Sequence, residues 1–171
     1  MTKNQEAQLK DGKIQLVIFR LENEEFGAPI NSVLEISRMM DITRIPQAPG
    51  FIEGMINLRG QVIAVIDLKR QLGFPSGQQF PKTSKVVVVQ VKEETFGLIV
   101  DEVPEVLRVA ESDIEAAPEA IQSGIKRHYI SGVAKIGDRL IVVLDLAQVL
   151  TPDEVASMEK LSLEEKEASR G

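Results

Sequence analysis

The sequence contains two copies of one pattern, and this duplication restricts the possible folds more than any other feature. Laying Gln15–Met39 over Lys85–Val109, a shift of 70, sets LVIFRL on VVVVQV and Phe26-Gly27 on Phe96-Gly97. The same shift sets Val33, Ile36 and Arg38 on Val103, Val106 and Arg108. A second block, Phe51–Leu72, falls on Tyr129–Leu150 at a shift of 78. Seven of its 22 positions are identical, among them Gly54/Gly132, Asp67/Asp145 and Leu68/Leu146. Two blocks in the same order, offset by one eight-residue insertion, describe two copies of a module of about 70 residues. A lobe that small buries little surface alone, so the copies are expected to share an apolar seam.

The module reads as β structure. Ile14–Leu21, Glu25–Ile30, Gln61–Asp67, Lys85–Val91, Thr95–Val100 and Arg139–Asp145 are short β-branched runs bounded by Gly, Pro, Asn and Asp. Several are apolar on both faces, as strands lying between two cores must be. The expected fold is all-β with minor helices: two β-barrel subdomains packed around a shared core, followed by a C-terminal helix. The expected divisions are a polar tail (1–13), a first subdomain (14–80), a second (81–151) and an acidic helix and tail (152–171). Phe74–Thr83, with Pro75, Gly77 and Pro81, marks the boundary between the copies. The connector Ile45–Gly50 of the first copy is short and turn-rich, whereas its counterpart Glu111–His128 is longer and contains Pro118 and Gly124. Asp67–Leu72 and Asp145–Leu150 each read as one or two helical turns, with Gly73 closing the first in a left-handed conformation. Thr151-Pro152-Asp153-Glu154 has capping-box spacing with Pro at the first helical position. Val155, Met158 and Leu161 then form a narrow apolar stripe, which predicts weak docking.

Composition removes most catalytic chemistries. The 171 residues include no Cys and one His, His128, so thiolate sites and multi-histidine zinc sites are excluded. The formal net charge is −6 with 4% aromatic residues. Nucleic-acid binding, which needs basic patches and often stacking rings, is therefore not expected. Residues 152–171 carry six acids and three bases, so half of the net charge sits on the terminal appendage. Glu24-Glu25, Glu93-Glu94 and Glu164-Glu165 lie in predicted turns or the tail, where solvation accounts for them. No phosphate-binding glycine loop is present. The N-terminus lacks a secretory apolar core and no apolar run is long enough to cross a bilayer. A cytoplasmic protein without membrane insertion, cofactor or metal is expected.

One segment stands out. Ile56-Asn57-Leu58-Arg59-Gly60-Gln61-Val62 reads as strand, tight turn and strand, with Gly60 able to take positive φ. The second copy carries Gly137 where the first has Arg59, so the turn itself does not require arginine. A guanidinium at this tip offers five donors for a carboxylate. Two uses stand open: a structural pair within the lobe, with Glu35 as a partner, or a contact with another protein.

The stretch FIEGMINLRGQVIAVIDLKRQLG (Phe51–Gly73) closely resembles the signature of the CheW family, adaptors of bacterial chemotaxis. The resemblance runs from about Ile14 to Val149, taking in Phe26-Gly27, Val33–Ile36, Thr95–Asp101 and Tyr129–Gly132. It implies two SH3-like five-stranded barrels and a scaffold without catalytic activity. Such a scaffold couples the cytoplasmic tips of methyl-accepting chemoreceptors to the regulatory domain of the histidine kinase CheA, at receptor arrays on the inner face of the membrane. Carried over by position, the resemblance implies a receptor-binding groove of Val33, Arg59, Gly97, Val103 and Val106. Glu35 is implied in coupling, with Gly54, Asn57, Gly60 and Val62 supporting the signature hairpin. Gln61 departs from the family pattern, where an apolar residue often follows Arg-Gly. The alternatives are an adaptor of another chemosensory-type pathway, or a small-ligand-binding β-barrel, which would need a deep polar pocket with convergent titratable groups.

Overall fold

The computed structural model describes residues 12–74, 80–116 and 129–160. Residues 1–11, Pro75 and Gly77 at the repeat boundary, Pro118, Gly124 and His128 of the longer connector, and Leu161 with the remaining acidic tail lie outside them. The described chain is mostly strand. The first copy supplies β1 (Lys13–Leu21), β2 (Glu24–Pro29), β3 (Val33–Arg38), β4 (Gly54–Leu58) and β5 (Gln61–Asp67). The second supplies β6 (Lys85–Val91), β7 (Glu94–Val100), β8 (Glu102–Ala110), β9 (Ile114–Glu115), β10 (Ile130–Ile136) and β11 (Arg139–Leu144). A single helical turn, α1 (Leu68–Gln71), follows β5. Helix α2 (152–160) closes the described chain.

The strands form two sheets, and each sheet draws on both copies. Sheet 1 has the order β8-β1-β2-β11-β10-β9, and sheet 2 the order β3-β6-β7-β5-β4. Under the sequence shifts, β8, β1, β2, β11 and β10 correspond to β3, β6, β7, β5 and β4. The two sheets therefore have the same strand order, with β9 additional. Parallel pairing at the exchange points is also equivalent: Phe26 lies opposite Val142 in sheet 1, and Phe96 opposite Ala64 in sheet 2. The duplication extends to backbone angles, because Glu22 and Lys92, 70 residues apart, sit in the two equivalent turns at φ 58° and 57°. The division at residue 80 thus separates the repeats along the chain, not the sheets in space.

Alternation along each strand explains why apolar residues occupy both faces. In β1, Leu16 and Ile18 join a small core with Val109, Ala134, Ile141 and Val143, while Phe19 and Leu21 face a second, larger core. In β6, Val86 and Val88 join Ile56, Leu58, Ile63, Val65 and Ile99, while Val87 and Val89 face the same larger core. The small cores are repeat-equivalent: Leu16, Ile18, Ala134, Ile136, Ile141 and Val143 match Val86, Val88, Ile56, Leu58, Ile63 and Val65. The large core lies between the sheets and holds Phe19, Phe26, Phe96, Leu98, Tyr129 and Leu144. Phe19 and Phe26 are directly paired across β1 and β2 and stack at 6.1 Å, within the range of favourable aromatic pairs. This central core is the expected shared seam.

The terminal elements obey local rules. Asp67 accepts from the Lys69 amide at 3.2 Å, and its counterpart Asp145 accepts from the Ala147 amide at 3.1 Å. Gly73 closes α1 at φ 91°. At α2 the capping box forms in both directions: the Glu154 amide donates to Thr151 Oγ1 at 3.1 Å and the Thr151 amide to Glu154 Oε1 at 2.8 Å. Weak docking of this helix is not what the structure shows. Val155 and Met158 are buried in the central core, and Gln71 Nε2 donates to both Val149 O and Glu154 Oε1 at 2.9 Å. Two buried anchors replace the open-ended stripe read from spacing, because the central core extends to this end of the molecule.

Each small core contains residues of both repeats, so neither repeat completes a core alone. A protein cut between residues 77 and 78 is expected to give halves without cooperative thermal unfolding when separate, and native-like near-ultraviolet circular dichroism when mixed. A cooperative melt of either isolated half contradicts the exchanged topology.

Candidate functional site

The signature hairpin is held by its turn. Leu58 pairs with Gln61 across β4 and β5, leaving Arg59 and Gly60 as a two-residue loop. Both have positive φ, 52° and 89°, as a type I′ hairpin turn demands. Glycine takes this conformation freely, whereas arginine there is uncommon and costs about 1 kcal/mol. The Gly60 amide donates to Asn57 Oδ1 at 2.8 Å, which gives Asn57 its place in the signature. In the second copy only Gly137 has positive φ in the equivalent loop.

The Arg59 guanidinium donates to Glu35 on β3. In sheet 2, β6, β7 and β5 lie between β3 and β4, and strands are spaced about 4.8 Å apart. Contact between the β4–β5 tip and β3 therefore requires the sheet to curl. Sheet 1 has the matching device. Glu105, equivalent to Glu35, accepts from Arg139 Nη2 at 2.9 Å across the intervening β1 and β2. Arg139 also forks onto Glu25, with bonds of 3.1 and 2.6 Å. Those hydrogen bonds, opposed by partial burial and assisted by the Arg139 charge, hold the Glu25 carboxyl below the usual range. The structural reading of Arg59 is therefore realised. Its side chain nevertheless stays 75% exposed, against 28% for Glu35, leaving guanidinium donors open to solvent.

Exposed aliphatic side chains lie on the same strands as each closing pair but on the other face of the sheet: Glu35 pairs with Val88 and Ile36 with Val87 on β6, and Glu105 pairs with Ile18 and Val106 with Val17 on β1. Leu34 and Ile36 flank Glu35, Val62 follows the hairpin tip, and all three are exposed. On sheet 1, Val106 beside Glu105 and Leu140 beside Arg139 are exposed in the same way. Ile36/Val106 and Val62/Leu140 are repeat equivalents. Leu34, Ile36, Leu140 and the Glu105–Arg139 pair are not among the candidate site residues read from the sequence. The shift of 70, which sets Val106 on Ile36 and Glu105 on Glu35, and the shift of 78, which sets Leu140 on Val62, are the signals that find Ile36, Glu105 and Leu140.

The remaining positions divide by depth. Val33 and Val103, equivalent by repeat, are half-buried at the rim of the central core. Gly97 is buried within sheet 2; a Cβ there would meet Val86 Cγ1 at 2.5 Å and Val65 Cγ1 at 3.0 Å. It allows close packing beneath the surface and does not line it. Gly54 is also buried, where a Cβ would meet Ile42 Cγ2 at 2.4 Å and Thr43 O at 2.6 Å, because the preceding connector pairs with β4 through Thr43 and Met55. The structure thus brings Glu35, Asn57, Arg59, Gly60 and Val62 to one hairpin and its facing strand. Val103 and Val106 lie on β8 of the other sheet.

Comparison with known proteins agrees with this architecture. A family described as the CheW-like domain matches residues 15–154. The chain is 32% identical over 158 residues to the chemotaxis protein CheW of Treponema pallidum, covering 90% of this chain and 91% of that protein. It is 35% identical over 152 residues to the chemotaxis protein CheW of Rhizobium meliloti, covering 88% and 96%. The crystal structure of the scaffolding protein TtCheW from Thermoanaerobacter tengcongensis superposes with a TM-score of 0.73 at 37% identity, over 82% of this chain and 90% of that one. The chain belongs to the CheW family, and it is a scaffold protein of bacterial chemotaxis.

Proposed function

We propose that this scaffold joins the cytoplasmic tips of methyl-accepting chemoreceptors to the regulatory domain of the histidine kinase CheA, within arrays at the inner face of the membrane. The observation that carries this reading is the pair of repeat-related apolar surfaces, one on each sheet. A scaffold of this kind has to meet two partners at once, and strand exchange puts exposed aliphatic side chains on both sheets of one body, so the receptor can contact both sheets while other barrel surface is left for the kinase. Each surface is small, with a few exposed aliphatic side chains on an edge strand and a hairpin strand. Such a surface suits a modest interface with a few strong anchors, as reversible assembly requires. An amphipathic receptor helix fits an apolar groove with a polar rim. In this reading Val33, Val103 and Val106 meet the receptor, Arg59 supplies the charged anchor, and Gly97 acts from beneath by letting β7 pack closely.

Arg59 separates recognition from folding. Arg59→Asn places a residue favoured in type I′ turns at the tip and removes only an exposed ion pair, so stability should stay within about 1 kcal/mol of the parent. Kinase autophosphorylation in a three-component assay with receptor membranes should nevertheless fall. Loss of the fold in thermal melts would make Arg59 a structural residue only. Val33→Asp and Val106→Asp should each reduce co-sedimentation with receptor-containing membranes. Unchanged co-sedimentation would remove β3 and β8 from the receptor surface, and undiminished autophosphorylation without the protein would refute the coupling role itself.

A further inference from the structure

Lys69 is the one buried lysine among the described residues, and neither the signature hairpin nor the apolar surfaces use it. Its side chain is 6% exposed, with Nζ 2.9 Å from Asp101 Oδ1 and 3.5 Å from Glu22 Oε1. Asp101 is held in turn, its Oδ2 accepting from the Glu22 amide at 2.8 Å and its own amide donating to Arg20 O at 3.0 Å. Thr83 Oγ1 donates to its carbonyl at 2.6 Å. The Asp67 carboxylate also faces Lys69, accepting from its amide. Burial alone would depress the Lys69 ammonium, but the hydrogen bond and charge of Asp101, with Glu22 and Asp67, outweigh it and hold the group protonated above its ordinary value.

The members come from different parts of the molecule. Lys69 lies on α1 directly after β5 of sheet 2, and Glu22 in the β1–β2 turn of sheet 1. Asp101 occupies the crossing from β7 of sheet 2 to β8 of sheet 1. The duplication provides an internal control. At the repeat-equivalent positions of Lys69, Glu22 and Asp101 stand Ala147, Lys92 and Asn31, so the module folds at the matching place without this triad. A buried ion cluster adds little net stability relative to apolar packing, because desolvation offsets attraction, but its hydrogen bonds are directional.

We propose that Lys69, Asp101 and Glu22 form an ionic joint that sets the angle between the two sheets, and so between the two apolar faces. Lys69 is then a positioning residue for scaffold assembly. The proposal builds on the two-face reading above, and its direct test requires neither receptor nor kinase. The chain has no cysteine, so spin labels can be placed at Gln61→Cys on β5 and Ser131→Cys on β10, both exposed positions on different sheets. In this labelled protein the joint is replaced by Lys69→Met with Asp101→Asn, which removes both buried charges while Asn can still accept from the Glu22 amide. Electron–electron distance measurements should give an inter-label distribution about twice as wide as the parent's, with cooperative melting retained. Glu22→Gln, at the exposed end of the triad, should broaden it less. An unchanged distribution in the double variant overturns the proposal, and so does loss of its cooperative fold, which would make the triad a folding requirement. With receptor and kinase added, the double variant should co-sediment less with receptor-containing membranes and stimulate autophosphorylation less. If only these last results fail, the joint stands and the receptor surface spanning the two sheets is wrong.

Discussion

Strands β1, β2, β6 and β7 have to be buried on both faces, and the rest of the molecule is arranged around meeting that requirement. Odd positions of β1 and β6, such as Phe19, Leu21, Val87 and Val89, face the central core. The intervening Leu16, Ile18, Val86 and Val88 face inward to the two small cores. A single repeat has too little surface to cover four such faces. Exchange of strands between copies solves this: β1 and β2 are completed by β10 and β11, and β6 and β7 by β4 and β5. The resulting chain is a duplication in sequence and one interlocked body in space.

The same geometry generates the surfaces. Curling each sheet brings its edge strand, β3 or β8, near the opposite hairpin, where Glu35–Arg59 and Glu105–Arg139 close the gap. Edge strands bury one face, so alternate residues on them remain outside, and Ile36 and Val106 are among those left in water. These exposed aliphatic side chains, repeated on both sheets, are the surface that the proposed receptor contact uses. Arg59 sits at a turn position that does not favour it. Its left-handed backbone is unfavourable for arginine, while Gly137 meets the matching turn without strain. What the side chain adds at this position is the ion pair with Glu35.

Much of this was legible in the sequence because it is encoded locally. The two-faced strands, the shared seam, the short helical turns starting at Asp67 and Asp145 and the Thr151–Glu154 box follow from alternation, turn chemistry and spacing. Strand exchange was not legible, since hydrophobic alternation specifies that Phe26 is buried and not that Val142 lies opposite it. Strand β8 was also hard to read: Glu102, Pro104, Glu105 and Arg108 dilute its pattern because only one face is covered. The candidate site was partly readable. The hairpin and its Glu35 partner followed from motif and chemistry, whereas Gly97 proved to be a packing residue, its depth being invisible in spacing. The Lys69 joint had no local signal, because its three members are distant in the chain and come together only through the fold.

Two sheets built from exchanged repeats behave as one unit. Native-state hydrogen exchange tests it most directly. Amides of β1 and β2 in sheet 1 and of β6 and β7 in sheet 2 should open with one common free energy, equal to that of global unfolding, and with the same denaturant dependence. Two separate free energies, one for each sheet, would show independent subdomains and contradict the interlocked core.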